Sequence, residues 1–121
     1  MTLIFYDSVE QVQSHTGDAN WLQVASKTGH LNAREHMLWV YAEYGGTVTN
    51  RTVHVRVLLD GVEKSSDYHL PETANEYKAF STFGLFSPAV EGDHTISLEI
   101  RGGHASQTVG VRRVRLAVMQ E

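Results

Sequence analysis

Length, composition and charge exclude several classes of protein for this chain. At 121 residues, 41% of them hydrophobic, it has the composition of one folded domain with its own core rather than that of a disordered segment. The net charge of −4 argues against nucleic acid as the main partner, and the absence of cysteine excludes disulfides, a thiol nucleophile and cysteine-ligated metals. No apolar run is long enough for a signal peptide or a membrane span, so we expect synthesis in the cytoplasm and no membrane partner.

The first twenty residues read as a short apolar strand and a polar segment. Leu3 to Tyr6 is apolar, whereas residues 7–20 are rich in Ser, Thr, Asp and Gly and are typical of a loop. Two roles for residues 1–20 remain open. They form either the first strand of the domain or an arm that adds a strand to a neighbouring subunit. Residues 21–121 are expected to form the main β-sandwich domain.

The strand predicted at Met37–Tyr44 is apolar on both faces. The preceding strand is predicted to begin at Trp21–Ala25 and to end at Lys27–Gly29. In Met37–Tyr44, one alternating set is Leu, Val and Ala, and the other is Met, Trp and Tyr. A half-exposed sandwich strand is normally polar on one side. The second apolar face is therefore covered by a loop of the same chain, by another subunit or by a ligand.

The middle of the chain contains a predicted hairpin and an aromatic strand. Val53–Leu59 alternates with period two, Asp60-Gly61 is the favoured dipeptide of a type I′ turn, and the chain returns along residues 62–68. Tyr77–Phe83 is the centre of an aromatic-rich stretch that extends to Phe86. We expect this stretch to fill much of the core.

Two long strands are predicted near the end of the sequence. His94–Arg101 alternates regularly, and Val109–Val118 alternates with a change of phase at Arg112-Arg113, where we predict a β-bulge. The spacing of strand and turn signals along the chain predicts an all-β protein. We expect an antiparallel, jelly-roll-like β-sandwich of about seven or eight strands.

The sequence contains no pattern typical of catalysis or of a bound cofactor. Its seven histidines include no pair at a short metal-ligand spacing, and no nucleophile elbow or phosphate-binding glycine loop is present. The basic residues Arg112, Arg113 and Arg115 are interpreted as outward charges on a strand. We therefore expect no enzyme activity, no cofactor and no metal. A glycan remains possible as a ligand, because exposed aromatic rings can stack on sugars, with Trp21, Trp39, Tyr41 and Tyr44 as candidates.

The closing strands resemble those of small β-sandwich domains in bacteriophage virion proteins. The resemblance is carried by Gly92–Arg101 and Val109–Val118, by the hairpin Val55–Gly61, and by the strand around Trp39 and Tyr41. It extends over most of the chain from Trp21 onward and is general to strand–turn–strand architecture. It matches no catalytic or binding residues.

The resemblance implies a structural protein of the virion. Because the sequence starts with Met1 and ends just after its last strand, we expect a capsid decoration (cement) protein rather than a tail or tail-fibre module, which is the first alternative. A carbohydrate-binding module is the second. A decoration protein would bind between major capsid subunits, often as a homotrimer. The candidate interface residues are Leu3, Phe5, Tyr6, Met37, Trp39 and Tyr41.

Overall fold

The protein consists of β-strands and turns. In the computed structural model, residues 2–10, 13–16 and 20–120 are described, and they contain nine strands and no helix. The strands are β1 (Thr2–Val9), β2 (Gln13–Thr16), β3 (Leu22–Leu31), β4 (His36–Gly46), β5 (Val53–Leu59), β6 (Val62–His69), β7 (Glu76–Phe86), β8 (Gly92–Gly102) and β9 (Thr108–Gln120). No helix in the described ranges is long and apolar enough to cross a membrane. The predicted all-β class is confirmed, with nine strands in place of the expected seven or eight.

The strands form two antiparallel sheets with jelly-roll connectivity. Sheet A has the order β1-β9-β4-β7, with β2 also paired to β9, and sheet B has the order β3-β8-β5-β6. The β5–β6 hairpin lies at the middle of the chain. The pairs β4–β7, β3–β8 and β1/β2–β9 are nested around it and alternate between the two sheets. This is a long hairpin rolled into a sandwich, which confirms the predicted architecture.

The core lies between the two sheets and is made of alternating aliphatic side chains. In sheet A the inward positions include Val40 and Leu116, and in sheet B they include Val55, Leu98 and Ile100; all five are fully buried. Each strand alternates between this core and an outer face, because successive side chains of a strand point to opposite sides of the sheet. The sandwich therefore has two outer faces.

The hairpin and the bulge predicted from the sequence are both confirmed. Asp60 and Gly61 have φ angles of 51° and 79°, as a type I′ turn requires. In the β4–β9 pairing, Tyr41 lies opposite Arg115 but Glu43 lies opposite Arg112, so β9 carries one extra residue there. The bulge keeps the valines on both sides of it, at 111 and 114, directed into the core.

The N-terminal half contains more strand than the sequence predicts. β3 does not close at Lys27–Gly29 but continues to Leu31, because Thr28 and Gly29 pair with β8. Gly29 suits this position since a Cβ there would lie 2.3 Å from the ring of Phe5 in β1. The prediction of a loop over residues 7–20 is also wrong in part. β1 runs to Val9, and the polar residues of β2 pair with β9, which supplies their backbone hydrogen bonds.

The aromatic strand β7 does not fill the core. It lies at the edge of sheet A, where one long side of the strand has no neighbouring strand in the described sheet. Phe80 is buried, but Phe83 and Leu85 are each 60% exposed because they point to the outer face of the sheet. The core is filled mainly by aliphatic residues from the other strands.

Candidate functional site

An apolar surface crosses all four main strands on the outer face of sheet A. The strand register places Tyr6, Ala117, Trp39 and Phe83 opposite one another in a row across β1, β9, β4 and β7. Directly opposed residues of antiparallel strands share one face of the sheet. These four side chains therefore form one continuous strip.

A second apolar row lies beside the first. Leu3, Met119, Met37 and Leu85 are opposed across the same four strands. We call the two rows together the apolar face; it consists of Leu3, Tyr6, Met37, Trp39, Phe83, Leu85, Ala117 and Met119. Its outermost members are the most exposed, with 56% of Leu3 and 60% of Leu85 accessible to solvent. The outer face of an antiparallel sheet is usually polar, so an apolar surface of this extent is a candidate interaction site.

The apolar face ends at a cluster of ion pairs. Next to Trp39 along β4, the Tyr41 hydroxyl donates a hydrogen bond to Glu43 over 2.8 Å. Arg112 and Arg113 each donate to the same carboxylate over 2.8 Å. The Arg112 bond, then the Tyr41 and Arg113 bonds, lower the pKa of Glu43 to about 2, so this carboxylate is charged at neutral pH.

The arginines near the bulge are all paired with acidic residues. Arg112 and Arg113 share Glu43, and Arg115 contacts Glu10 at 2.6 Å. Their charge is therefore largely compensated within the chain. The interpretation of these residues as outward strand charges agrees with their half-buried or exposed positions.

The structure places most of the sequence-derived interface candidates on the apolar face. Leu3, Tyr6, Met37 and Trp39 belong to it, and Tyr41 lies at its border. Phe5 does not, because its ring packs inward against Gly29 and the core.

Four members of the apolar face were missed by the sequence analysis: Phe83, Leu85, Ala117 and Met119. For Phe83 and Leu85, the sequence did contain a signal, because β7 has apolar or aromatic residues in both of its alternating sets. This is the same property that drew attention to β4.

A narrow cleft opens between the two sheets beside the apolar face. It has a volume of about 200 Å³ and lies between β6 and β7, with Leu38 and Val57 among its lining residues. Gly84 lines the same cleft, and a Cβ at this position would have no atom within 4 Å. Further along the two strands, Lys78 of β7 contacts Asp67 of β6 at 3.1 Å and joins the sheet edges.

The outer face of sheet B is polar. Trp21 lies on it, with the guanidinium carbon of Arg56 at 4.2 Å from the indole centroid, and Arg56 contacts Glu99 at 2.6 Å. Of the four aromatic residues predicted as sugar-stacking candidates, Tyr44 is fully buried, and its hydroxyl donates to Asp67 over 3.0 Å. Tyr44 is therefore unable to stack on a ligand, and that prediction is wrong.

The histidines are distributed over separate local contacts. Buried His36 stacks on Phe86 and contacts the carbonyl of Arg34, and His94 contacts Asp60 at 2.6 Å. The Asp60 hydrogen bond, followed by one to a backbone carbonyl, raises the pKa of His94. Within residues 2–10, 13–16 and 20–120, no three His, Asp or Glu side chains come together as metal ligands. The most distinctive surface in this part of the chain is thus the apolar face.

The sequence was also compared with known proteins. No protein-family model and no curated protein matches the chain. Its function is therefore inferred from the fold and from the chemistry of its two outer faces.

Proposed function

We propose that the chain is a non-enzymatic structural protein that binds other protein subunits through the apolar face. The sequence resemblance makes the specific proposal a bacteriophage capsid decoration protein, which would bind between major capsid subunits as a homotrimer and belong to the virion. The observation that supports subunit binding is the pair of apolar rows that crosses sheet A, with Phe83 and Leu85 each 60% exposed.

The size of the apolar face suits a weak contact that many copies reinforce. Leu3, Tyr6, Phe83 and Leu85 are 45–60% exposed, so each offers roughly 100 Å² of surface, on the order of 400 Å² together. Burial of this area would contribute about 10 kcal/mol at 25 cal/mol per Å². Association itself costs about 4–15 kcal/mol. The affinity of a single contact is therefore marginal. A lattice site that touches several subunits buries more area and raises the affinity.

The fold is compatible with this role but does not select it. Jelly-roll domains serve both in viral capsids and in lectins. The apolar face favours the capsid role, because a protein interface has an apolar centre. A tail or tail-fibre module that uses the same face remains the alternative within the virion.

The test is binding of the purified chain to expanded phage capsids. We expect saturating, symmetry-related binding by the wild type, with added resistance of the capsid to heat. Phe83→Ser and Leu85→Ser should each weaken binding about tenfold or more, because each removes an exposed apolar anchor of the interface. Val62→Ser is the matched control, since Val62 is 57% exposed, close to the value for Phe83 and Leu85, but lies on sheet B. The Val62→Ser variant should bind capsids as tightly as the wild type.

Two results would contradict the proposal. One is equal capsid binding by wild type and Phe83→Ser. The other is a reconstruction of the source particle in which no density for this fold occurs at the surface. Density in the tail alone would move the protein to the tail class. Light scattering of the wild type and of Trp39→Ala, with and without capsids, reports whether the trimer forms in solution or only on the particle.

A further inference from the structure

A cluster of aromatic and cationic side chains occupies the outer face of sheet B, on the opposite side of the sandwich from the apolar face. Arg101, His54 and Tyr68 are directly opposed across β8, β5 and β6. Trp21 lies against this row, with its indole centroid 5.0 Å from the guanidinium carbon of Arg101 and 6.3 Å from the ring of His54. These four residues are called the Trp21 cluster.

The two arginines beside Trp21 differ in their partners. Arg56 donates from Nε to Glu99 over 2.7 Å and lies 3.7 Å from Glu63, so its charge is compensated within the chain. Arg101 has no ion pair with any described residue, and its Nε is buried without a hydrogen-bond acceptor. A buried guanidinium N–H without an acceptor is costly. Because this Nε is closed off from solvent, the side chain must turn outward to meet an acceptor outside the chain, and pairing there would remove that cost.

The neighbouring rings provide an aromatic surface beside this charge. The ring of His54 stacks on Tyr68 with centroids 5.7 Å apart, and Tyr68 itself is 64% exposed. Burial, together with the charge of Arg101, lowers the pKa of His54, so that its imidazole is neutral at pH 7. The row therefore carries at one end a cation that has no ion pair among the described residues, and at the other end an exposed ring.

We propose that the Trp21 cluster binds a carboxylate-bearing sugar. The planar guanidinium of Arg101 can donate paired N–H groups to a carboxylate, which is the ligand that matches its geometry best. The exposed ring of Tyr68 offers a flat apolar surface on which the C–H face of a sugar ring can lie. Arg101 and Tyr68 are two strand spacings apart, about 10 Å, and a carboxylate and the sugar rings attached to it can span this distance.

This site is separate from the one that carries the proposed function. The Trp21 cluster lies on sheet B and the apolar face on sheet A. A copy attached through the apolar face would still present the Trp21 cluster to the surroundings. Because the two sites share no residue, failure of capsid binding and failure of sugar binding are independent results.

The test is a nuclear magnetic resonance titration that follows the two tryptophan indole N–H signals. Trp39→Phe assigns them, and the Trp39 signal is an internal control because this residue lies on the opposite face. We expect glucuronate to shift the Trp21 signal, with a dissociation constant in the millimolar range or tighter. Glucose, acetate and inorganic phosphate at the same concentrations should cause much smaller shifts.

Variants test which side chains carry the binding. Arg101→Gln should weaken glucuronate binding about tenfold or more, since charge-assisted hydrogen bonds to a carboxylate contribute on this scale. Tyr68→Ala should weaken it several-fold, because this change removes the ring on which the sugar lies. Arg34→Gln and Tyr6→Ala, which change an exposed arginine and an exposed tyrosine outside the cluster, should leave binding unchanged. Circular dichroism of each variant would show that the fold is retained.

Several results would overturn the inference. Equal shifts with glucose and glucuronate would remove the role of Arg101. Equal shifts with acetate or phosphate would indicate a simple anion site and not a sugar site. Absence of any Trp21 shift up to about 50 mM glucuronate, or unchanged binding by Arg101→Gln, would overturn it entirely.

Discussion

Replacement of Gln107 should destabilise the protein more than replacement of any exposed polar residue. Gln107 precedes β9, its side chain is fully buried, and it holds the turn between β4 and β5. Its Oε1 accepts the N–H of Val48 over 2.8 Å, and its Nε2 donates to the carbonyls of Val48 and Arg51 over 2.8 and 2.7 Å. One amide side chain thus satisfies three backbone groups of the turn.

The expected cost of Gln107→Ala follows from these three bonds. Each contributes about 1 kcal/mol net, and the space left by the shorter side chain adds a further loss of packing, so the total is about 3–4 kcal/mol. With a urea dependence of about 1.5–2 kcal/mol per molar, the unfolding midpoint should fall by about 2 M. Gln23→Ala is the matched control, because Gln23 is exposed, and its midpoint should match that of the wild type.

The measurement is equilibrium urea unfolding of the wild type and both variants. Gln107→Glu adds a sharper test, since a carboxylate would place an acceptor against the carbonyls of Val48 and Arg51. The pKa of that carboxyl should be raised in the folded state, so its protonated form is favoured there. Stability of Gln107→Glu should therefore be lowest at neutral pH and rise as the pH falls through the raised pKa toward the lower pKa of the carboxyl in the unfolded chain. A loss of less than about 1 kcal/mol for Gln107→Ala would refute this reasoning.

The remaining predictions concern one carboxylate and one glycine. The folded-state pKa of Glu43 is about 2, below the value of 4.5 for the free group. Its bonds should therefore stabilise the fold above pH 4.5 and be lost as the pH falls toward 2. In thermal unfolding, the difference between wild type and Glu43→Gln should shrink over that range, and a constant difference would contradict the assignment. Gly29→Ala should lower the melting temperature by several degrees, because the new Cβ would lie 2.3 Å from the Phe5 ring. Gly84→Ala, where a Cβ meets nothing within 4 Å, is the control, and equal melting temperatures would refute the argument.

Much of the fold could be predicted because its signals are local. Period-two alternation located β4, β5, β8 and β9, and the Asp60-Gly61 pair predicted the turn of the central hairpin. The phase change at Arg112-Arg113 predicted the bulge, because a strand that buries one face must add a residue to keep its valines inward. Each of these features is determined by residues that are close together in the sequence.

The remaining features depend on which strands become neighbours. The aromatic residues of β7 fit a central strand as well as an edge strand. Phe83 and Leu85 are exposed because they point to the outer face and because β7 lies at the end of sheet A. The Trp21 cluster could not be predicted for the same reason. Trp21 and Arg101 are far apart in sequence, and the β3–β8 pairing brings their strands together.

The position of β9 has a consequence for the order in which the protein folds during synthesis. β9 is the last of the described strands to leave the ribosome, yet it lies in the interior of sheet A, between β1 and β4. Among the described pairings, β1 and β2 have β9 as their sole partner. The β5–β6 hairpin can form early, but β1 and β2 cannot pair until β9 has been translated. Such long-range closure is slow, and until it occurs one hydrogen-bonding edge of β4 has no partner strand, which makes this stage of folding prone to aggregation.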